Sequence, residues 1–382
     1  MSPALGVYIH WPFCARICPY CDFNVYRHRG HEDLSFALKA AILQDLKTQA
    51  ASLGPRTLVS IFFGGGTPSL MAPEWVAEII ETCKGLWPGA SNLEVTLEAN
   101  PTDGQAAKFQ AFQGAGINRL SLGLQALNDQ DLKLLGRDHT AAEGQRAAQL
   151  AASIFPRLSI DLIYARPNQT VGLWVAELDA ALELGAQHIS PYQLTIEAGT
   201  AFERAVGRGR LIPPGPDLAA DLYEATQDSL CQAGFEAYEV SNHARGTDHQ
   251  SRHNLVYWQG EDYLGIGPGA HGRITRDGAR QATIAALTPK AYIERVGLTG
   301  LGVAETESLS PIAMAEERLL SGLRILQGVA YSDLAALNLH PDHDEVRAMT
   351  EDGLLVADTA RLRATPAGRL VLNWLTGRLA LA

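Results

Sequence analysis

Three cysteines within eight residues are the strongest chemical feature of this 382-residue sequence. They stand in the segment Cys14-Ala-Arg-Ile-Cys18-Pro-Tyr-Cys21, with C-x3-C-x2-C spacing. Three thiolates on one short loop can hold three corners of a 4Fe–4S cubane and leave its fourth iron without a protein ligand. Zinc is the competing metal, and since structural zinc sites usually close with four ligands, His10 and His28 are the candidates to complete one. The spacing favours iron–sulfur, and zinc stays open at this point.

A glycine-rich segment, Phe-Gly-Gly-Gly-Thr-Pro at 63–68, follows a predicted strand. Glycine lets backbone approach a ligand closely, and the exposed amides can bind a carboxylate or an amine. Gly65, Gly66 and Thr67 are therefore candidate binding residues. Such turns occur in many α/β proteins, so this segment gains weight only beside the cysteines.

Polar side chains recur at or near the ends of three predicted strands, at Glu98, Gln125 and Asp161. Barrel folds place their chemistry at the carboxyl ends of their strands. Helix capping is the alternative role for any one of these side chains. Because all three recur in register, the sequence favours a shared pocket.

Alternating apolar runs and helical patterns fill the first 200 residues and must position these side chains. Six β–α units predict a parallel sheet covered by helices. Since a complete eight-unit barrel typically needs ~250 residues, we expect an incomplete (β/α)6 barrel of the TIM type. The predicted strands are 7–10, 59–63, 93–99, 119–124, 158–163 and 188–194, and the predicted helices are 34–53, 73–87, 103–115, 141–155 and 170–184.

The rest of the chain divides less regularly. A Gly- and Pro-rich stretch at 204–217 predicts a loop, and Asp277-Gly278 between short alternating runs predicts a hairpin over 273–283. An amphipathic pattern at 313–326 predicts a helix in a small, helical, winged-helix-like C-terminal domain. The expected domains are the partial barrel at 1–203, a barrel-associated extension at 204–300 and the C-terminal domain at 301–382.

Composition limits the class of protein. Hydrophobic residues make up 46% and charged residues 19%, which is typical of a globular protein, and the formal net charge of −11 argues against nucleic-acid binding. No run of about 20 apolar residues predicts a membrane span, and the N-terminus does not resemble a signal peptide. We expect a cytoplasmic protein with at most peripheral membrane contact. Cys83 and Cys231 stand apart from the cluster and are expected to be buried on helices.

The cysteine segment, with aromatic Tyr20 before its third cysteine, resembles the C-x3-C-x-aromatic-C signature of radical S-adenosylmethionine (SAM) proteins. The resemblance implies a 4Fe–4S cluster on Cys14, Cys18 and Cys21, with SAM bound to the open iron through its amino and carboxylate groups. It also implies that one electron from the cluster cleaves the sulfonium to give a 5′-deoxyadenosyl radical. The SAM contacts implied by position are Tyr8, Tyr20 through its backbone, Gly65, Gly66, Thr67, Glu98, Gln125, Arg137 and Asp161, with Gln193 a weaker match.

Longer strings narrow the resemblance. Residues 8–14, 63–68, 122–125 and 160–164 are similar to oxygen-independent coproporphyrinogen III dehydrogenases and to their relatives, the HemW haem chaperones, and the similarity covers nearly the whole chain. Three features favour the chaperone branch. Phe23 stands where the dehydrogenases carry a fourth cysteine, only thirteen residues precede the first cysteine, and His253-Asn254-Leu-Val-Tyr257-Trp258 resembles the H-N-x-x-Y-W motif associated with haem binding.

The chemistry of that motif is consistent with haem. His253 is the candidate iron ligand, and tyrosine, here Tyr257, serves as the ligand in some haem proteins. Trp258 could stack on the macrocycle, and Asn254 could hydrogen-bond a propionate or orient the histidine. The alternative is that Tyr257 and Trp258 pack in a core while His253 caps a turn.

Two functions follow from the resemblance. The first is a haem chaperone that carries the cluster and SAM and hands haem to an acceptor, with a respiratory haem protein as a candidate. The second is a coproporphyrinogen III dehydrogenase that oxidatively decarboxylates propionates. An RNA-modifying radical SAM enzyme fits the acidic composition poorly. Whether the protein is an enzyme, and whether it forms a homodimer, stays open.

Overall fold

The computed structural model describes residues 2–28 and 32–381. Its strands, in chain order, are β1 (Ala4–Trp11), β2 (Phe13–Cys14), β3 (Tyr26–Arg27), β4 (Thr57–Gly65), β5 (Gly89–Ala99), β6 (Arg119–Gln125), β7 (Arg157–Tyr164), β8 (His188–Gln193), β9 (Glu236–Ala237), β10 (His243–Ala244), β11 (Asp262–Ile266), β12 (His271–Arg276), β13 (Ala279–Ala285), β14 (Val303–Ser308), β15 (Val329–Ala330) and β16 (Arg361–Leu362).

Helices cover the large sheet and form most of the C-terminal region. In chain order they are α1 (Glu32–Ala51), α2 (Pro73–Leu86), α3 (Ala106–Gly114), α4 (Asp129–Leu134), α5 (Ala141–Ile154), α6 (Val171–Leu182), α7 (Ala201–Gly207), α8 (Pro216–Gln232), α9 (Arg252–Trp258), α10 (Pro289–Thr299), α11 (Pro311–Gly322), α12 (Asp344–Glu351), α13 (Pro366–Leu370) and α14 (Leu372–Ala380).

One twelve-stranded sheet organises the fold, in the order β14-β13-β12-β11-β1-β4-β5-β6-β7-β8-β10-β9. The six predicted strands are β1 and β4 to β8, and they run parallel, as expected of a partial barrel. The sheet stays open, which confirms the incomplete barrel. Strand β11 adds a seventh parallel strand beside β1, which the sequence prediction did not include.

Side-chain alternation gives the parallel strands two different faces. Along β5, Val95 and Leu97 belong to the hydrophobic core, whereas the alternate residues Glu94, Thr96 and Glu98 face the other way. Glu94 and Thr96 are nevertheless buried. The inner face of the partial barrel is therefore polar and enclosed. This is unusual for a hydrophobic core and typical of a ligand-binding site.

The connecting segments differ in part from the prediction. The predicted hairpin is confirmed as β12 and β13, and both turn residues, Asp277 and Gly278, have positive φ, as a two-residue turn of this kind requires. The predicted loop at 204–217 is shorter than expected, because α7 runs to Gly207 and α8 begins at Pro216. Thr200 is the N-cap of α7, because its side chain accepts a hydrogen bond from the Glu203 amide.

Of the two isolated cysteines, Cys83 is buried as expected and Cys231 is exposed. Helix α8 buries Leu222, Thr226 and Leu230, at a four-residue spacing that turns the next residue outward. The expectation of burial was therefore wrong for Cys231.

The C-terminal region is helical, as predicted. It has its own hydrophobic cluster, in which Leu319 of α11 packs with Leu334, Leu362 and Leu375. The short strands β15 and β16 pair antiparallel beside it. No helix within residues 2–28 and 32–381 combines the length and apolar character needed to cross a bilayer.

Candidate cofactor site

The cysteine loop and the glycine segment are joined by main-chain hydrogen bonds. The Gly66 amide donates to the Trp11 carbonyl at 2.7 Å, and the Thr67 amide donates to the Phe13 carbonyl at 2.8 Å. The chain therefore leaves β1 and enters the cysteine loop directly against the end of β4. This register places Cys14 beside the glycines.

All three cysteines line one cavity of about 460 Å³ at the carboxyl ends of the parallel strands. None of them forms a disulfide. Burial raises the pKa of the Cys14 thiol, and it raises the pKa of Cys21 to about 11. Because thiolates are the ligands of iron, cluster binding here must displace protons.

The zinc alternative loses its fourth ligand in this geometry. His10 Nε2 lies 2.9 Å from the Asn24 carbonyl oxygen and His10 Nδ1 lies 3.0 Å from the Tyr8 hydroxyl, so both ring nitrogens are engaged. His28 packs edge-on against Phe13. In the described part of the chain, no three His, Cys, Asp or Glu side chains are placed to hold a single ion. A cubane does not need this convergence, because each cysteine binds a different iron.

Two glycines of the segment cannot be replaced without displacing backbone. Gly65 has φ +107°, which L residues rarely adopt. A Cβ on Gly66 would lie 2.7 Å from the Phe13 carbonyl oxygen. The requirement predicted from the sequence, close approach of backbone, is met here by the cysteine loop itself.

Glu98 and Arg137 bring a carboxyl group and a guanidinium into the cavity. Glu98 accepts a hydrogen bond from the Gly65 amide at 3.2 Å, and burial, with the nearby Asp161 carboxylate, raises the pKa of Glu98 to about 8. Arg137 donates from Nη2 to the Gly123 carbonyl at 2.8 Å and from Nη1 to Cys18 Sγ at 3.6 Å. A neutral carboxyl group and a fixed guanidinium in one cavity suit a ligand with both an amine and a carboxylate.

Buried polar atoms without partners test whether a cofactor fits. Gln125 Oε1 and Arg137 Nε are buried and have no hydrogen-bond partner among the described residues. Gln125 also has φ +67°, a strained conformation for a non-glycine residue. Such unsatisfied groups around a cavity are expected where a polar ligand binds. The donor set, three cysteines plus these polar groups, fits a cluster and SAM.

Asp161 is held by hydroxyl groups rather than by a cation. Ser121 Oγ donates to it at 2.9 Å and Ser159 Oγ at 3.2 Å. Burial raises the pKa of Asp161 despite these hydrogen bonds. Its position on the inner face makes it part of the cavity wall.

The structure brings most of the predicted cofactor residues together. Tyr8 is the exception: its ring stacks near Phe62 and His253, each about 6.2 Å away between ring centroids, and its side chain does not line the cavity. Asn100, Ser121 and Tyr192 line the cavity without having been predicted, although strand alternation and strand ends could have indicated them. The predicted residues that line the cavity are Cys14, Cys18, Tyr20, Cys21, Gly65, Gly66, Thr67, Glu98, Gln125, Arg137 and Asp161, together with the weaker match Gln193.

The second predicted site, the H-N-x-x-Y-W segment, forms α9 and lies at the opposite end of the strands. The backbone amides of Arg252 and His253 donate to the buried Glu94 carboxylate at 3.1 and 3.0 Å. Ser251 caps the helix by accepting from the Asn254 amide. Glu94 and Glu98 are thus four residues apart on one face of β5. Glu94 contacts α9, and Glu98 lines the cofactor cavity.

His253 is enclosed on the inner face of the sheet, with 1% of its surface exposed. Its Nδ1 lies 2.8 Å from Ser60 Oγ and its Nε2 lies 2.6 Å from the Tyr257 hydroxyl, both within hydrogen bonds. The ring stacks on Phe62 at 4.9 Å. Burial lowers the pKa of His253 to about 3, so the ring is neutral. In this conformation no ring nitrogen is free to bind iron.

Tyr257 and Trp258, at the end of α9, line a second cavity of about 1160 Å³, which lies between α9 and α11 and is called the α9–α11 cleft below. Its other wall is formed by α11, the following turn and α14. The structure therefore divides the motif: His253 faces the interior, and the aromatic pair borders a cavity.

The comparisons with known proteins agree with this geometry. Residues 8–179 match the radical SAM superfamily model, and residues 309–371 match the HemN C-terminal domain. The chain is 40% identical to radical S-adenosyl methionine domain-containing protein 1, mitochondrial, from Bos taurus, over 97% of this chain and 87% of that protein. It is 36% identical to heme chaperone HemW from Escherichia coli, over 97% of both chains.

Among solved structures, coproporphyrinogen III oxidase (HemN) from Escherichia coli matches with a TM-score of 0.81 at 21% identity, over 99% of this chain and 90% of that chain. At this identity the match supports the fold alone. The sequence relatives extend along nearly the full length, and so carry the assignment. The chain belongs to the radical SAM superfamily and, within it, to the anaerobic coproporphyrinogen III oxidase family and its HemW group.

Proposed function

We propose that this protein is a haem chaperone that binds haem, hands it to an acceptor protein and carries a 4Fe–4S cluster and SAM. The observation that carries the proposal is the second cavity beside α9, which is larger than the cofactor cavity and lined by other residues. A carrier needs room for cargo that is separate from its cofactors. The relatives named heme chaperone HemW support the same function.

The proposed cofactor residues are supported by their place in the first cavity. Cys14, Cys18 and Cys21 would hold the cluster, and Arg137 would stay beside the sulfur of Cys18. When bound, the cluster supplies the electron that cleavage of SAM requires. Thr67 hydrogen-bonds the Cys14 sulfur, which favours its thiolate form.

SAM would lie in the cavity that Glu98 and Arg137 share with Gly65 and Gly66. Since burial and the nearby Asp161 carboxylate keep Glu98 mostly neutral near pH 7, it can give up its proton when the cationic sulfonium cofactor arrives. Gln125 Oε1, which has no partner among the described residues, would accept a hydrogen bond from the cofactor.

The haem-binding motif would act through two different contacts. Tyr257 and Trp258 border the second cavity and would touch the macrocycle, with Asn254 on the same short helix. His253 would hold the helix against the sheet through Ser60 of β4, while its other ring nitrogen bonds Tyr257 of the same helix. Its predicted role as iron ligand would require one of these hydrogen bonds to break.

The competing activity, decarboxylation of coproporphyrinogen, shares the cofactors and the fold. Phe23 is at the mouth of the cofactor cavity and is 63% exposed, at the position where the dehydrogenase branch carries its fourth cysteine. A phenyl ring cannot replace a thiol there as a ligand or as a proton carrier. This difference favours the carrier.

An anaerobic haem titration of the cluster-reconstituted protein tests the proposal. We expect saturation at about one haem per chain, a new Soret band, and transfer of that haem to an apo acceptor on mixing. No saturable binding, together with CO₂ release from coproporphyrinogen in the presence of SAM and a reductant, would replace the carrier with the enzyme.

The acceptor, with a respiratory haem protein as candidate, and a homodimer are proposals that the same preparation can test by pull-down and light scattering. The expected cytoplasmic location also stays a prediction, because the animal relatives carry a mitochondrial designation.

A further inference from the structure

We propose that Glu177 and Arg166, a buried ion pair outside the cofactor cavity, are positioning residues that hold Gln125 in the wall of the proposed SAM site. Neither side chain of the pair lines the cavity itself. The inference rests on the SAM site of the proposed function and not on haem. It adds two residues through which that site keeps its shape.

The end of β6 is bent at Gln125. The register between β6 and β7 shifts between Gly123 and Gln125, which marks a β-bulge, and Gln125 has φ +67°. A bulge near a site re-aims a side chain. Because left-handed backbone costs free energy in any residue other than glycine, a bend of this kind persists only where neighbouring groups hold it.

Glu177 of α6 holds the chain just after this bend. Its Oε1 accepts a hydrogen bond from the Leu127 amide at 2.6 Å, two residues beyond Gln125. A carboxylate is a stronger acceptor than a neutral oxygen, and Glu177 is only 8% exposed, so water competes little for this amide. The carboxylate therefore fixes the backbone that leaves the strained residue.

Arg166 compensates the buried carboxylate and also touches the bend. Its Nη1 donates to Glu177 Oε1 at 3.2 Å, and its Nη2 donates to Glu177 Oε2. The same Nη1 lies 3.5 Å from the Gln125 carbonyl oxygen. Since Arg166 is 2% exposed, its guanidinium is held by these contacts rather than by solvent.

The ion pair also reaches the segment that carries Arg137. Arg166 Nη2 lies 3.1 Å from Asp131 Oδ2 in α4, and the Arg137 amide, just after α4, donates to the Leu132 carbonyl at 2.8 Å. Gln125 and Arg137 are the two cavity-lining residues of the described chain that keep buried polar atoms without a partner. One buried arginine therefore supports both groups that are left for a ligand.

The cost of this arrangement indicates a role beyond folding. A buried ion pair seldom adds stability compared with well-packed apolar side chains. Ala165 and Asn168, on either side of Arg166, have φ +58° and +61°, so three of the five non-glycine residues with positive φ in the described chain lie here. Strain and buried charge beside a cavity wall are typical of a site held in one shape for its ligand.

Calorimetric SAM titration of the full-length, cluster-reconstituted protein tests the inference. Glu177→Met removes the carboxylate and its hydrogen bond with the Leu127 amide, whereas Glu177→Gln removes the charge and keeps an oxygen that can accept this bond. Arg56→Met is the control for loss of a buried ion pair. It takes one cation from the buried Asp262, and neither residue lines the cofactor cavity.

We expect Glu177→Met to weaken SAM binding at least about tenfold, because a small displacement of a contact group costs this much or more. Glu177→Gln should stay within about threefold of wild type, since it keeps the acceptor. Arg56→Met should lower the urea midpoint and leave SAM affinity unchanged, and all variants should keep wild-type iron content. The change that SAM produces in the electron paramagnetic resonance of the reduced cluster should need correspondingly more SAM in Glu177→Met, a shift that lower stability alone would not cause.

Arg166→Lys decides the test if Glu177→Met does not fold. It keeps a buried cation but replaces the separate contacts of the guanidinium with those of one ammonium, so we expect SAM binding about threefold to fivefold weaker. SAM affinity that is unchanged in the folded variants, or lowered equally by Arg56→Met, would overturn this inference. A wild-type protein that takes up the cluster and binds no SAM would overturn the SAM site as well, whereas absent haem binding would overturn the chaperone proposal alone.

Discussion

The cofactor cavity and the α9–α11 cleft were both indicated by motifs, yet the motifs relate to their cavities differently. In the cofactor cavity, motif residues on loops and strand ends point at the same space, including all three cysteines. In the cleft, only Tyr257 and Trp258 border the cavity, while His253 turns into the sheet. A loop can aim every side chain at one ligand, but a helix distributes consecutive residues around its axis. Residues four apart, such as His253 and Tyr257, meet each other instead.

The largest expected effect is loss of the iron–sulfur cluster, which tests whether the two cavities bind their ligands independently. Cys18→Ala should abolish the cluster, because three sulfurs are the full protein ligand set proposed for it. Iron and sulfide analysis of the reconstituted variant should fall from about four of each per chain to near zero. Cys231→Ala, at an exposed cysteine, should keep full iron content.

Haem affinity of Cys18→Ala gives the other half of this test. We expect it to stay within about twofold of wild type, since the cleft shares no lining residue with the cofactor cavity. A parallel loss of haem binding would contradict the separation of the two sites.

The second effect concerns the glycine segment. In Gly66→Ala the new Cβ would meet the carbonyl oxygens of Phe13 and Trp11 at 2.7 and 2.9 Å, so the cysteine loop must shift. We expect SAM affinity to fall at least tenfold by calorimetry, and the free energy of unfolding to fall by about 1–3 kcal/mol.

Gly85→Ala in α2 is the matched control, because its Cβ would meet nothing within 4 Å. It should raise stability by up to about 1 kcal/mol, through helix propensity, and leave SAM binding alone. Equal SAM affinity in both variants would show that the close approach at Gly66 is unimportant for binding.

The third effect tests whether His253 is a ligand or a support. His253→Ala leaves the Ser60 and Tyr257 hydroxyls unpaired in a buried site, so we expect the free energy of unfolding to fall by about 2–4 kcal/mol. Urea unfolding of the variant measures it, with the exposed His340→Ala as control. A displaced Soret maximum with wild-type stability would instead make His253 the iron ligand.

The same variant has a pH signature. The pKa of His253 is about 3 when folded and near 6.5 when unfolded, so the neutral ring stabilises the fold above about pH 6.5 and this contribution is lost as pH falls toward 3. His253→Ala should therefore lose less stability than wild type over that range.

The smallest expected effect is the release of a single proton from the cofactor cavity when SAM binds. Because the pKa of Glu98 is about 8, the carboxyl is mostly neutral at pH 7, and a cationic ligand should ionise it. Calorimetry of SAM binding in buffers of different ionisation enthalpy should show release of close to one proton at pH 7, less at pH 9, and none attributable to this residue in Glu98→Gln. A release that persists in Glu98→Gln would assign the proton to another group.

Much of this architecture could be predicted from the sequence because it follows from periodicity. The six parallel strands, the hairpin at Asp277-Gly278 and the helical C-terminal region all carry local patterns. Strand β11 could not be placed, since nothing local tells a five-residue strand to pair with β1, more than 200 residues away. The α9–α11 cleft was equally hidden, because it depends on how the C-terminal region packs on α9.

The residues of the cofactor site could be predicted where their position along a strand decides which face of the sheet the side chain points to. Glu98 and Asp161 alternate inward on known strands, whereas Tyr8 also faces inward but is stopped short of the cavity by His10, to which its hydroxyl is hydrogen-bonded. The Tyr8 ring also lies against Phe62 of β4 and His253 of α9, and packing between such distant segments leaves no mark in one sequence.

An open sheet has two edge strands, and each exposes unpaired backbone N–H and C=O groups that a strand of another molecule can pair with. One outer strand here, β9, is two residues long, which leaves little to pair with. The other, β14, is longer but carries Glu305 and Glu307 in an exposed stretch. Two such strands brought together would set carboxylates against carboxylates. The protein can therefore leave its barrel unclosed, with room for cofactors, and still resist strand-to-strand aggregation.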